Sequence, residues 1–145
     1  MLEGSFFIGS DHAGFFLKNT LKERMISWGL RVEDCGTHSP ASCDYPEMAH
    51  KVCSLVLARN GYGVLVCGTG IGMSMTANRH KGIRAALCTH IFHARASRAH
   101  NNANILCLGQ RVTAPELSME ILSAFLETPY EGGRHDRRLE LMEKI

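Results

Sequence analysis

The stretch Val64-Leu65-Val66-Cys67-Gly68-Thr69-Gly70-Ile71-Gly72-Met73 decides how the chain is read. A short apolar run ends in a cysteine. Three glycines follow at alternate positions, and Met73-Ser74-Met75-Thr76-Ala77-Asn78 can be helical. This is a strand, a tight turn and a helix start. Such a turn aims backbone N–H groups and the positive end of a helix at one point, where an anion, or one forming during a reaction, is stabilised. A thiol at such a point ionises more readily than a free one. The turn is not a dinucleotide fingerprint, because Met73 follows Gly68-x-Gly70-x-Gly72 and no acid stands ~20 positions on to hold a ribose. It is not a P-loop, because no Gly-Lys-Ser/Thr follows. By itself it is a generic glycine turn, and many of these bind nothing.

Upstream, Ser5 to Gly9 is an apolar run and a first strand. Asp11 or a neighbour caps a helix over about 14–28, with Leu17, Leu21, Met25 and Trp28 on one face and Gly29 at its end. Leu30 to Cys35 reads as strand two, and Gly36 to Tyr45 as a loop. Pro46 opens a helix whose apolar face is Ala49, Val52, Cys53, Val56 and Leu57, stopped by Asn60-Gly61. Gly63 to Cys67 is strand three. Downstream come strand four (83–88), a helix (about 92–98), strand five (105–108), and a helix from Pro115 to Leu126 with Leu117, Ile121, Leu122 and Phe125 inward. A turn at Tyr130-Glu131-Gly132-Gly133 precedes a terminal helix over 137–145.

The alternation of short Val/Ile/Leu-rich strands with helices predicts the α/β class. The expected architecture is a three-layer α/β/α sandwich, Rossmann-like, around a five-stranded parallel sheet of order 2-1-3-4-5. No repeat or linker divides the chain, so 1–145 is read as one domain. Ligands bind such sheets at the carboxyl ends of the strands, where strand order reverses. That point lies between strands one and three, and it brings Ser10-Asp11-His12-Ala13-Gly14 beside Cys67-Gly68-Thr69-Gly70.

The 145 residues are 45% hydrophobic, with no apolar run near the ~20 residues of a membrane helix. The N-terminus lacks a basic-then-apolar signal, which points to a cytoplasmic protein with no membrane partner. Six cysteines (35, 43, 53, 67, 88 and 107) form no C-x-x-C pair and read as free thiols. Net charge is +2, yet between Glu47 and Glu116 there is no Asp or Glu. That interval holds Lys51, Arg59, Arg79, Lys81, Arg84, Arg95, Arg98, Arg111 and five histidines. Each charge taken singly fits a solvated helix face. The missing carboxylates fit an anionic ligand better.

Several residues could carry chemistry. Cys67 closes a central strand, where a thiol is either a buried free cysteine or a base; the acid-free interval leaves Cys67, a histidine or Asp11 as the base. Asp11 can cap a helix or hold a sugar hydroxyl, and His12 can hydrogen-bond a phosphate. His100-Asn101 offers a proton shuttle, although a lone histidine is more often structural. Arg134 and Arg138, four apart, share one side of a helix and can grip a phosphate. No aromatics interleave with them, so nucleic acid is not expected as a partner. Cys88, His90 and His93 form C-x-H-x-x-H without a matching cluster, and no metal site is expected.

Taken together, Gly9-Ser10-Asp11-His12-Ala13-Gly14, Asp44-Tyr45-Pro46, Cys67-Gly68-Thr69-Gly70-Ile71-Gly72, Gly82-Ile83-Arg84-Ala85, His100-Asn101-x-x-Asn104, Gly109-x-Arg111 and Gly132-Gly133-Arg134-His135 resemble ribose-5-phosphate isomerase type B over almost the whole chain. The wider family includes allose-6-phosphate and galactose-6-phosphate isomerases. The resemblance implies interconversion of ribose 5-phosphate and ribulose 5-phosphate in the pentose phosphate pathway, with no cofactor and no metal. It implies Cys67 as the base between C2 and C1, Thr69 as proton relay, and the N–H groups of Gly68, Gly70, Ile71 and Gly72 as the oxyanion site. His100 would open the sugar ring with Asp11, with His135 as a second candidate. His12, Arg111, Arg134 and Arg138 would hold the phosphate, Asn101 the sugar, and Tyr45 would line the pocket. It further implies a homodimer with shared sites, or a dimer of dimers, in which His100, Asn101 and Arg111 come from the neighbour and the terminal helix packs across the interface. Some relatives carry a glutamate base just after the glycines; here that place is Met73. A six-carbon sugar phosphate and a non-catalytic nucleotide or flavin module are the competing readings.

Overall fold

The structure, a computed structural model, describes residues 1–144. The strands are β1 (Ser5–Ser10), β2 (Arg31–Asp34), β3 (Tyr62–Cys67), β4 (Ala85–Leu87) and β5 (Ile105–Gly109). The helices are α1 (Phe15–Ser27), α2 (Tyr45–Arg59), α3 (Ile71–Ala77), α4 (Ile91–Asn101), α5 (Pro115–Glu127) and α6 (Arg134–Met142). All strand pairs are parallel.

The two-residue period of the strands sorts the core into two layers. Phe6, Ile8, Val64, Val66, Leu106 and Leu108 face one side and pack with Leu17, Leu21 and Met25 of α1, Ala94 of α4, and Ile121, Leu122 and Phe125 of α5. Phe7, Leu65, Cys67, Ile105 and Cys107 face the other, against Val52, Cys53 and Val56 of α2 and Met73 and Ala77 of α3. Two residues expected inward, Leu57 and Leu117, are instead largely exposed, each at the edge of its helix's buried stripe.

The strand order is 2-1-3-5-4, not 2-1-3-4-5. The difference has a physical cause. Every residue of β5 is buried, whereas β4 is the three-residue, half-buried segment Ala85-Ala86-Leu87. The longer apolar strand takes the inner place and the short one the edge. The exposed side of β4 is answered locally: the Asn78 side chain donates to Ala85 O and accepts from Ala85 N, both at 2.9 Å, in place of another strand.

Helix boundaries also shift. Asp11 caps a single 3-10 turn, His12–Gly14, before α1, accepting from Gly14 N at 3.1 Å. A Cβ on Gly14 would lie 2.5 Å from Val66 O, so glycine is what lets this turn rest on the end of β3. α4 runs on to Asn101, which puts His100 in its last turn rather than after it. α6 begins at Arg134, not at 137, and its expected last residue, Ile145, lies outside the described residues.

Candidate active site

Cys67 ends β3, only 5% exposed, under the glycine turn. The Gly70 N–H donates to its Sγ at 3.0 Å. Gly70 can do this because its backbone is left-handed (φ 78°), and a Cβ there would lie 2.5 Å from Leu87. The turn is held further by Ile71 N donating to Thr69 Oγ1 at 3.2 Å. The first amides of α3 have no intrahelical acceptor.

Four other expected residues gather here. Asp11 N donates to Val66 O, so the β1 loop lies against the end of β3 as expected. His12 Nδ1 accepts from Cys43 N at 3.2 Å; that nitrogen carries no proton, and Nε2 is left as a donor. The Tyr45 ring covers Gly72, where a Cβ would come within 2.7 Å of it. Arg111 N donates to Gly68 O at 2.9 Å, and its guanidinium lies over Gly68. Arg111 is thus supplied by its own chain, which revises the expectation that it comes from a neighbour. The corrected strand order explains this, since placing β5 next to β3 brings residues 110 and 111 against the turn.

His100, Asn101, Arg134, His135 and Arg138 lie elsewhere. α4 leaves the carboxyl end of β4 and returns along the sheet, so its last turn sits near the strand starts. Gly63 N donates to Asn104 O there, four residues before Cys67, roughly 13 Å along the strand. Buried Arg98 anchors that end of α4. It lies between the Tyr62 and Phe125 rings and donates to the Asn102 side chain at 2.9 Å. Glu131 N donates to Ala99 O at 3.0 Å, tying the last loop to α4. The His100 and His135 rings stack at 4.6 Å with 14° between planes. His100 is 43% exposed in its side chain and His135 only 7%. Burial, then the charges of His100, Arg134 and Arg138, hold the His135 imidazole below its ordinary range, against an opposing effect of Glu131. The expected site residues therefore fall into two groups, at opposite ends of the sheet.

Four other thiols are buried. Burial pushes Cys35 and Cys88 up to about 11, Cys53 to about 12, and Cys107 well above 9. All six cysteines are free. Cys88 is buried while His90 and His93 stack edge-to-face, and these three do not converge as metal ligands. Part of the basic interval is structural. Arg59 pairs with Glu33 (3.2 Å) and Arg84 with Glu143 (3.1 Å), using acids from outside it.

One network escaped sequence reasoning. Lys18 is fully buried and donates to Asp34 (2.7 Å) and to Thr37 O (2.7 Å), while Lys22 reaches Asp34 at 2.8 Å. Burial alone would raise the Asp34 pKa, but these hydrogen bonds and that of Gly36 N outweigh it and hold it at about 2. The network fixes the 34–37 segment, whose Gly36 O and Thr37 N bond Ser10 just before Asp11. A lysine within an apolar helix face was the available signal.

The fold defines a doubly wound α/β protein, and its candidate site surrounds a thiol at the strand switch point. The family model for the ribose/galactose isomerases matches residues 6–142, and the chain belongs to that family. It is 42% identical over 138 residues to ribose-5-phosphate isomerase B of Escherichia coli K12, covering 94% of this chain and 93% of the relative. The structure of a ribose 5-phosphate isomerase from Thermotoga maritima superposes with a TM-score of 0.96 at 47% identity, over 99% of this chain and 100% of that one. That of Clostridium thermocellum ribose-5-phosphate isomerase B gives 0.94 at 42% identity, over 97% and 95%. Among the described residues, no helix is long and apolar enough to cross a membrane.

Proposed function

We propose that the chain is an aldose–ketose isomerase interconverting ribose 5-phosphate and ribulose 5-phosphate in the cytoplasm, with Cys67 as the base. The reaction moves one hydrogen from C2 to C1 and one from O2 to O1, so it needs no external oxidant. Cys67 takes the C2 proton, and the electron pair moves into an enediolate whose oxygen faces the turn amides of Gly68 to Gly72. Thr69 passes the hydroxyl proton between the two oxygens, and Cys67 returns its proton to C1. The observation that carries this reading is the Gly70 N–H donated to Cys67 Sγ.

His12, through Nε2–H, and Arg111 take the phosphate from one side. Arg134 and Arg138 take it from the other. His100, the exposed member of the stacked pair, opens the ring with Asp11, and Asn101 contacts the sugar. Because these groups lie at opposite ends of one chain, the working unit is a homodimer in which the partner subunit's His100, Asn101, Arg134 and Arg138 complete each site, with α6 at the interface. Largely exposed Phe16, Ile71, Phe92 and Val112 each follow the carboxyl end of a strand and supply apolar surface for that contact.

Two experiments test this. The kcat/KM on ribose 5-phosphate is expected to exceed that on allose 6-phosphate; the reverse ranking overturns the substrate. Mixed dimers of Cys67→Ala and His100→Ala chains are expected to regain activity, since one site per dimer is intact. No recovery contradicts shared sites.

A further inference from the structure

We propose that Gln110 is a positioning residue for the isomerisation: it keeps the loop carrying Asp11 and His12 in register with the turn carrying Cys67. Gln110 stands directly after β5. Its backbone N–H donates to Cys67 O at 2.9 Å. Its side-chain Oε1 accepts from Leu17 N, in the first turn of α1, also at 2.9 Å. One residue therefore grips both sides of the candidate site.

The helix needs that acceptor. The first amides of a helix have no intrahelical partner, and a side-chain oxygen normally satisfies one of them. Gly14 precedes α1 and makes no side-chain cap. The Asp11 carboxylate is engaged one turn earlier, accepting from Gly14 N. The cap for α1 arrives instead from 93 residues away in sequence. Because Leu17 N is a donor, the Gln110 amide must present its oxygen there.

The bridge stands where the direct link is weak. Asp11 N reaches Val66 O at 3.3 Å, long for an N–H···O bond. Gly14 packs against Val66 O, but its own N–H is turned to Asp11. On the other side the backbone is firm. Gln110 N and Arg111 N donate in succession to Cys67 O and Gly68 O, each at 2.9 Å, and so clamp the glycine turn. The Gln110 side chain extends that clamp to α1, which follows directly on the turn His12–Gly14.

The consequence rests on the functional reading above, in which the substrate spans His12 and Cys67. A misplacement of about 1 Å between groups that hold and attack one substrate can cost on the order of 10²-fold in rate. Loss of a single cap loosens the register by less, and roughly tenfold is expected.

The test uses the full-length protein. Gln110→Met keeps the length of the side chain and lacks the acceptor; Gln110→Glu keeps the oxygen. On ribose 5-phosphate, kcat is expected to fall roughly tenfold in Gln110→Met and to stay within about threefold of wild type in Gln110→Glu. The added carboxylate suits the first turn of a helix, and any repulsion of the phosphate falls on KM, not on kcat at saturation. A cap with a merely structural role predicts no loss of kcat at temperatures where Gln110→Met is folded. In a double-mutant cycle on kcat/KM, Gln110→Met and His12→Ala together should cost less than the product of their separate losses, by about threefold or more. Hydrogen exchange at the Leu17 amide should be roughly tenfold faster in Gln110→Met than in wild type. Wild-type kcat in Gln110→Met, equal losses in the Met and Glu variants, or losses that simply multiply would overturn the proposal. Wild-type protein inactive on ribose 5-phosphate removes the functional reading instead; faster Leu17 exchange in Gln110→Met still supports the bridge, and unchanged exchange overturns it.

Discussion

Cys67 and Cys107 lie on neighbouring strands and point to the same side of the sheet, yet they live in different chemistry. Cys107 pairs in register with Leu65, one pleat below Cys67. It is 0% exposed, and its thiol is pushed far up by burial and by the neighbouring thiols Cys53, Cys88 and Cys67. Cys67 is almost as buried, but it receives the Gly70 N–H. Two residues along a strand separate an inert core thiol from a candidate base. The turn makes the difference, not burial and not residue type.

The contrast predicts its largest effect in rate. Cys67→Ala is expected to lower kcat by on the order of 10³-fold or more, the scale of a lost proton-transfer group. Cys107→Ala is expected to leave kcat unchanged and to lower unfolding free energy by roughly 1–2 kcal/mol, read by urea denaturation. Equal kinetic losses in the two variants would erase the distinction.

Next comes the turn itself. Gly70→Ala puts a Cβ into Leu87 and strains a left-handed backbone, moving the N–H off the sulfur. The expected loss is on the order of 10²-fold in kcat, comparable to losing one oxyanion donor. Arg134→Ala, at the other end of the sheet, should instead raise KM by roughly tenfold with a smaller change in kcat. Steady-state kinetics on ribose 5-phosphate separates the two patterns.

The glycine turn, the two facing loops and the layer order were legible because each rests on local signals: an apolar run, a glycine spacing, a cap. Strand order was less so. Strands four and five are both apolar in sequence, and only packing shows that Ile105–Gly109 is buried on both faces while Ala85–Leu87 serves as the edge. Arg111 followed that order to the turn. The Lys18–Asp34 network left one local trace, a lysine on an apolar helix face, but lysine on a helix normally faces water, and its partner lies sixteen residues on, in another element.

That network gives the smallest expected effect. The Asp34 pKa falls from 3.8 to about 2 on folding. A carboxylate with a depressed folded pKa adds stability that is full above the unfolded value and is lost as pH falls through the folded one. Acid titration should therefore show stability declining between about pH 4 and pH 2 in the wild type. Asp34→Asn should lack that part of the decline. Superimposable curves would remove the ion pair from the account.

Solvent-deuterium exchange tests the role of Cys67 most directly. Ribose 5-phosphate incubated in D2O with the wild type should gain deuterium at the carbon that loses its proton, because the base exchanges with solvent during the enediolate's lifetime. Cys67→Ala should bind the substrate and incorporate none. Exchange at the wild-type rate in Cys67→Ala would show that another group removes the proton and that the thiol at the end of β3 is only part of the core.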